Sequence, residues 1–188
     1  MRAGGRVVVV GVGNEYRRDD GVGWAVVARL AERVTRSACR ADVVLRTCDG
    51  DPARLITLWD AADFAVVVDA AHAHPGHPGR VHRLELDARQ LPRGGGSTSS
   101  HGLGLGEAVE LARVLDRLPG RLVVYAVEGA DHSLGSGMSG PVAAAVEPVT
   151  RRIAQEIAFA CRPVPDPVDR ALHGGRRDGC TRCGPSRR

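Results

Sequence analysis

Lysine is absent from this 188-residue chain: all 26 basic residues are arginine. That absence excludes Schiff-base chemistry, a phosphate-loop lysine and a serine–lysine dyad. Aromatic residues are scarce, at 3%, and Tyr16, Trp24, Trp59, Phe64, Tyr125 and Phe159 are scattered along the sequence. A stacking platform for single-stranded nucleic acid needs aromatics grouped on one surface, so no nucleic-acid partner is expected. No apolar run approaches the roughly 18 residues of a membrane span, so no membrane partner is expected either. The apolar run 7–12 passes straight into Asn14, Glu15, Arg17, Arg18, Asp19 and Asp20 with no small-residue cleavage site, unlike a secretory signal. The cysteines number five, an odd count that suits a reduced, cytoplasmic setting better than a disulfide framework.

What is present is enough for one folded domain. Hydrophobic residues make up 43% of the chain, which supports a core without staples, and the length fits a single unit. The net charge of +4 suggests an anionic partner until it is located. Seven of the 26 arginines and three of the 22 acids fall from residue 162 onward, so the body before them is balanced at 19 of each. The expected organisation is an α/β domain over 1–161 and an Arg/Pro/Gly-rich tail over 162–188, without apolar periodicity and read as disordered.

Residues 6–12 form a β-branched run suited to a strand buried on both faces, and Val22, Val26, Leu30 and Val34 follow at helical spacing. Strands are expected at 43–47 and 65–69, with a short helix over 52–61 opened by Pro52. Residues 79–86 alternate as an edge or antiparallel strand does. A Gly/Ser-rich loop over 90–100 precedes a helix whose stripe is Leu105, Ala108, Leu111, Ala112 and Leu115. A strand over 121–127 and a closing helix marked by Val142, Val146, Val149, Ile153 and Ile157 complete the body. The order predicts a three-layer α/β fold: a mostly parallel twisted sheet with helices on both faces and one antiparallel or edge strand.

In such a fold ligands collect beyond the carboxyl ends of the parallel strands. Three sequence-distant residues fall there. Asp20 follows the first strand, Asp69 ends the third, and His101 closes the Gly/Ser loop. An unpaired acid behind Ala65, Val66, Val67 and Val68 is costly unless it has a task. Two carboxylates and an imidazole make an O,O,N set for a borderline divalent cation such as nickel or zinc. Asp20, beside Asp19, also fits a plain helix N-terminal acid, and a loop histidine is commonly just solvated. Gly11 and Gly13 suggest a dinucleotide cradle, but the third position of that fingerprint is Tyr16. A non-enzymatic nucleotide- or metal-binding module using the same cleft is one reading of these residues. His72, His74, His77 and His82, interleaved with Pro75, Gly76, Pro78 and Gly79, read as a surface loop at the rim. Cys180-x-x-Cys183 is half a zinc knuckle at most.

The segment from Gly11 to Gly23, GVGNEYRRDDGVG, resembles the opening motif of the hydrogenase maturation proteases, endopeptidases that trim the C-terminus of the [NiFe] hydrogenase large subunit. Val66-Val-Val-Asp-Ala70 resembles the second acidic motif of that family, and Ser100-His-Gly-Leu-Gly104 its histidine motif. Val127-Glu-Gly-Ala and Gly137-Met-Ser-Gly-Pro141 resemble the stretch before its last helix. The resemblance spans about residues 6–160 and omits the tail. The family's first metal-site acid, commonly Glu, falls on Asp20, one methylene shorter. Where many members carry Gly-Thr, this chain has Asp49-Gly-Asp-Pro-Ala-Arg54, and no role transfers there.

The resemblance implies an aspartic-type, cytoplasmic endopeptidase whose partner is the nickel-loaded large-subunit precursor. Asp20, Asp69 and His101 would meet the nickel that the substrate presents, and Asp20 and Asp69 would serve catalysis. A divalent cation can occupy the same residues in the isolated protein. No Ser or Cys stands in a triad-like arrangement; Cys39 and Cys48 read as small core or turn residues.

Overall fold

The computed structural model describes residues 5–34, 42–87 and 103–160. Five strands are named in chain order: β1 (Arg6–Val12), β2 (Asp42–Cys48), β3 (Phe64–Ala71), β4 (Val81–Asp87) and β5 (Arg121–Glu128). Four helices connect them: α1 (Val22–Val34), α2 (Pro52–Trp59), α3 (Leu103–Val114) and α4 (Gly140–Ala160), with a 3-10 turn over Arg18–Gly21 ahead of α1. The strands form one sheet in the order β2-β1-β3-β5-β4. All pairs are parallel except β4 with β5, so the expected edge strand runs antiparallel. The expected α/β class holds.

Alternation along the strands divides the core between two faces. Val7 and Val9 of β1, Val66 and Val68 of β3, and Val123 and Tyr125 of β5 pack with Val22, Val26 and Leu30 of α1 and Val146, Val149 and Ile153 of α4. Val8, Val10, Ala65, Val67, Leu122 and Val124 face the other way, against Leu55, Ile56 and Trp59 of α2 and Leu105, Ala108 and Ala112 of α3. Covering both faces makes the central strands continuous apolar runs, as the sequence shows. At the start of α2, Asp51 accepts the Arg54 amide at 2.7 Å and Pro52 occupies the first turn.

Two expectations need correction. The α3 stripe is narrower than the apolar pattern suggested: Leu111, and Leu115 just past the helix end, are 42% and 50% exposed, while Leu105, Ala108 and Ala112 are buried in the core with Val109 partly buried against it. The third strand continues to Ala71 instead of stopping at Asp69, since β5 offers Val127 and Glu128 as partners for Ala70 and Ala71. The Gly/Ser loop, Cys39 and the tail from 162, with its CxxC, lie outside the described residues.

Candidate active site

The sheet order puts β2 on one side of β1 and β3 on the other, so the chain reverses its direction of travel between β1 and β3. At such a switch point the two outgoing connections splay apart and leave a crevice at the carboxyl edge. Asp20, in the turn after β1, and Asp69, near the end of β3, both fall at this carboxyl edge.

Glycines let the chain close tightly here. A Cβ on Gly11 would lie 2.2 Å from the Gly23 carbonyl oxygen, and one on Gly23 would lie 2.5 Å from the carbonyl oxygens of Val12 and Val68. The start of α1 therefore sits directly on the ends of β1 and β3. Gly13, at φ +118°, has the Asp20 carbonyl oxygen 2.0 Å from its Cβ position. Close backbone packing accounts for both glycines of the GxG pair without a bound nucleotide.

The Asp19–Asp20 doublet divides two tasks. Asp19 is fully buried. Its Oδ2 accepts the Ala130 and Asp131 amides at 2.8 and 3.0 Å and the Ser139 hydroxyl at 2.9 Å, while Oδ1 accepts the Ser139 amide at 2.6 Å. Burial alone would raise this carboxyl, but those donors outweigh it and hold Asp19 below the usual range. Asp19 thus ties the turn after β1 to the loop between β5 and α4. Asp20, partly exposed, spends one oxygen, Oδ2, on the Asn14 amide at 2.9 Å. It is the member of the doublet that is not saturated with donors, and its negative charge reaches Asp69.

Burial pushes the Asp69 carboxyl up to about 6; the Ala70 amide pulls it the other way, and the negative charge of Asp20 adds to the rise. The structure therefore brings Asp20 and Asp69 into one electrostatic neighbourhood. His101, the expected nitrogen donor, lies outside the described residues. Among the described residues, no three His, Cys, Asp or Glu side chains form a group that could hold a metal ion. Two carboxylates without a third donor accord with that.

His132 was not singled out in the sequence, where the run of histidines from 72 to 82 drew attention instead. Its ring stacks on His72 with centroids 3.8 Å apart, and both ring nitrogens are shielded from solvent without a hydrogen-bond partner. Burial, followed by the neighbouring His72, holds it below the ordinary histidine range, against the pull of Asp20 and Asp19. A lone histidine in a loop 112 residues beyond Asp20 carries no sequence signal of this placement. His74 and His77 are exposed, as a surface loop requires. His82 is engaged on β4, its Nε2 2.6 Å from Glu128 Oε1, while Glu128 Oε2 accepts the His77 amide at 2.5 Å.

A separate open depression lies where β5 begins and α4 ends, lined by Arg83, Arg121, Arg152, Gln155, Glu156 and Phe159. Its Glu156 is already occupied by Arg83, Arg121 and Tyr125, so it offers structural ion pairs, not reactive groups. Asp20 and Asp69 stand at the opposite, carboxyl edge of the sheet.

The sequence matches the hydrogenase maturation protease family, HycI, over residues 26–156, well over half of the chain. The protein belongs to that family and is a peptidase. Among solved structures, the hydrogenase maturating endopeptidase HybD from Escherichia coli is similar at a TM-score of 0.65 and 22% identity, across 82% of this chain and 93% of that one. The [NiFe] hydrogenase maturation protease HycI from Thermococcus kodakarensis is similar at 0.57 and 24% identity, across 84% and 95%. At these identities the likeness speaks for the fold. None of the curated proteins matches. Among the described residues, no helix is long and apolar enough to cross a membrane.

Proposed function

We propose that this peptidase acts in the cytoplasm, removing a C-terminal peptide from the nickel-loaded large-subunit precursor of a [NiFe] hydrogenase. The observation that carries the reading is the pair of carboxyls at the β1/β3 switch point, with Asp69 raised to about 6 beside Asp20. A carboxyl raised by burial and by a like charge is one that gains from an incoming cation or from keeping a proton. Both properties suit the task. Asp20 and Asp69, with His101 as third donor, would meet the nickel that the substrate carries, which makes metal loading a condition for cleavage. Free of a cation, Asp69 holds its proton closer to neutral pH than an ordinary aspartate does, and on meeting the substrate's nickel it would give that proton up. The two carboxylates would then hold and orient the attacking water, giving an aspartic-type hydrolysis without a covalent nucleophile. In isolation the same donors can take up a divalent cation.

The test is incubation with nickel-loaded and nickel-free precursor, followed by intact-mass measurement. Loss of a C-terminal peptide from the loaded form alone is expected, and Asp69→Asn abolishes it. Equal trimming of both forms, or full activity in that variant, would refute the assignment.

A further inference from the structure

The ends of β3 and β5 leave the sheet together. Ala71 and Glu128 share the last rung of that pair, and the Gly129 amide donates to the Ala71 carbonyl at 3.0 Å. His72 and the loop carrying His132 therefore emerge side by side at the carboxyl edge, where the two rings stack with centroids 3.8 Å apart and planes 30° from parallel. Asp20 belongs to the same neighbourhood, since its charge acts on His132 as it acts on Asp69.

His132 is fixed in backbone and ring. Asp19 accepts the Ala130 and Asp131 amides at 2.8 and 3.0 Å, and Arg17 Nε donates to the His132 carbonyl at 3.3 Å. The ring fills a niche that glycine at 129 leaves open: a Cβ there would lie 2.6 Å from its Nε2 and 2.7 Å from its Cε1. Both ring nitrogens are shielded, with no hydrogen-bond partner among the described residues, so what this imidazole offers its surroundings is its face. That face lies against His72, which is exposed. Burial and the neighbouring His72 hold His132 below the ordinary histidine range, although Asp20, Asp19 and Asp131 favour its proton; a proton on the pair therefore rests on the exposed ring.

Hydrolysis of a peptide bond needs a proton for the leaving nitrogen as well as a water for the carbonyl carbon. In the function proposed above the carboxylates serve the water, and the amine has no donor. Among the described histidines at this edge, only His72 is both open to solvent and held by a ring contact: His74 and His77 are exposed without one, and His82 is engaged with Glu128.

We propose that His72 is the proton donor to the leaving amine and that His132 is its positioning residue, acting through the stacked face. Water attacks the scissile carbonyl carbon and gives one proton to the carboxylate pair. As the C–N bond breaks, the His72 imidazolium passes its proton to the departing nitrogen, and solvent carries the proton on the carboxylate pair back to the imidazole. The assignment rests on the function proposed above and supplies a step of it.

The experiment follows cleavage of nickel-loaded precursor by the full chain, with kcat and KM measured separately and thermal unfolding alongside. His72→Gln is expected to lower kcat about 100-fold, with KM within about twofold and the melting temperature unchanged, because the ring is exposed. In His72→Gly, free imidazole raises the residual rate about tenfold, a rescue that a purely structural role does not give. His132→Phe keeps a flat face and stays within about threefold of wild type in kcat, while His132→Ala loses about tenfold. A kcat within about threefold of wild type in His72→Gln, while the wild-type chain cleaves normally, overturns the donor and leaves the function standing. A raised KM with no imidazole rescue assigns His72 to substrate binding and also overturns it. His132→Phe folded but as slow as His132→Ala shows that the nitrogens are used instead of the face, which overturns the positioning role. Failure of the wild-type chain to cleave loaded precursor overturns the function itself, and the donor with it.

Discussion

At neutral pH the ionised Asp69 works against folding, and replacing it with asparagine should make the protein more stable while silencing it. The folded-state carboxyl sits at about 6 against an ordinary value of 3.8. Below 3.8 the group is protonated in both folded and unfolded chains and makes no difference. As the pH rises from there to about 6, the unfolded chain gives up its proton first, so folding is progressively penalised. Above about 6 the penalty is constant. At 1.36 kcal/mol per pH unit the interval amounts to about 3 kcal/mol, a ceiling because solvent reaches part of the side chain. Asparagine keeps an oxygen for the Ala70 amide and carries no charge to desolvate or to oppose Asp20. The variant is therefore expected to gain about 2 kcal/mol at pH 7.5, a rise of roughly 4–8 °C in Tm for a chain of this size. The gain should shrink at pH 5 and vanish near pH 3.5. Denaturant unfolding of both proteins at the three pH values measures it. A variant no more stable at pH 7.5, or equally favoured at pH 3.5, would refute the reasoning.

Two further substitutions test how the crevice is built. Asp19→Ala strips the acceptor from three part-buried amides and a hydroxyl; a loss of about 3 kcal/mol is expected on chemical unfolding, with cleavage of the precursor falling too because the turn carrying Asp20 is released. A loss below about 1 kcal/mol would show that the loops hold without the latch. Gly11→Ala places a methyl group 2.2 Å from the Gly23 carbonyl oxygen, which can yield only by moving α1 off β1; about 3 kcal/mol of destabilisation is expected in the same assay, and a neutral result would remove the close-packing account of the GxG pair.

Most of the sheet was legible in the sequence because burial on both faces writes itself as unbroken β-branched runs, and those of β1, β3 and β5 are the three central strands. Helix faces were legible where a helix packs along its whole length, as in α4, whose Val142, Val146, Val149, Ile153 and Ile157 are all buried. The α3 stripe was overread because periodicity reports which residues could face a core, not how wide that core is. Asp69 was recognisable as an acid at the end of an apolar run, a local pattern with a physical cost. His132 was not, since its position depends on a ring stack with His72, 60 residues earlier, that no spacing announces.

The doublet after β1 shows why adjacency in sequence does not settle which acid serves the site. Neighbouring residues in a 3-10 turn point in different directions, and here Asp19 turns inward to the amides of residues 130, 131 and 139 while Asp20 accepts only the Asn14 amide. The inward acid is saturated with donors and held below its ordinary range; the acid across the crevice, Asp69, is starved of them and held above it. Only the second condition leaves a carboxyl free to exchange a proton or to meet a cation near neutral pH. The latch and the proposed reactive pair are thus complementary uses of one residue type. Asp19 spends its charge on holding two loops together, and that is what keeps Asp20 close enough to Asp69 for the two charges to oppose each other.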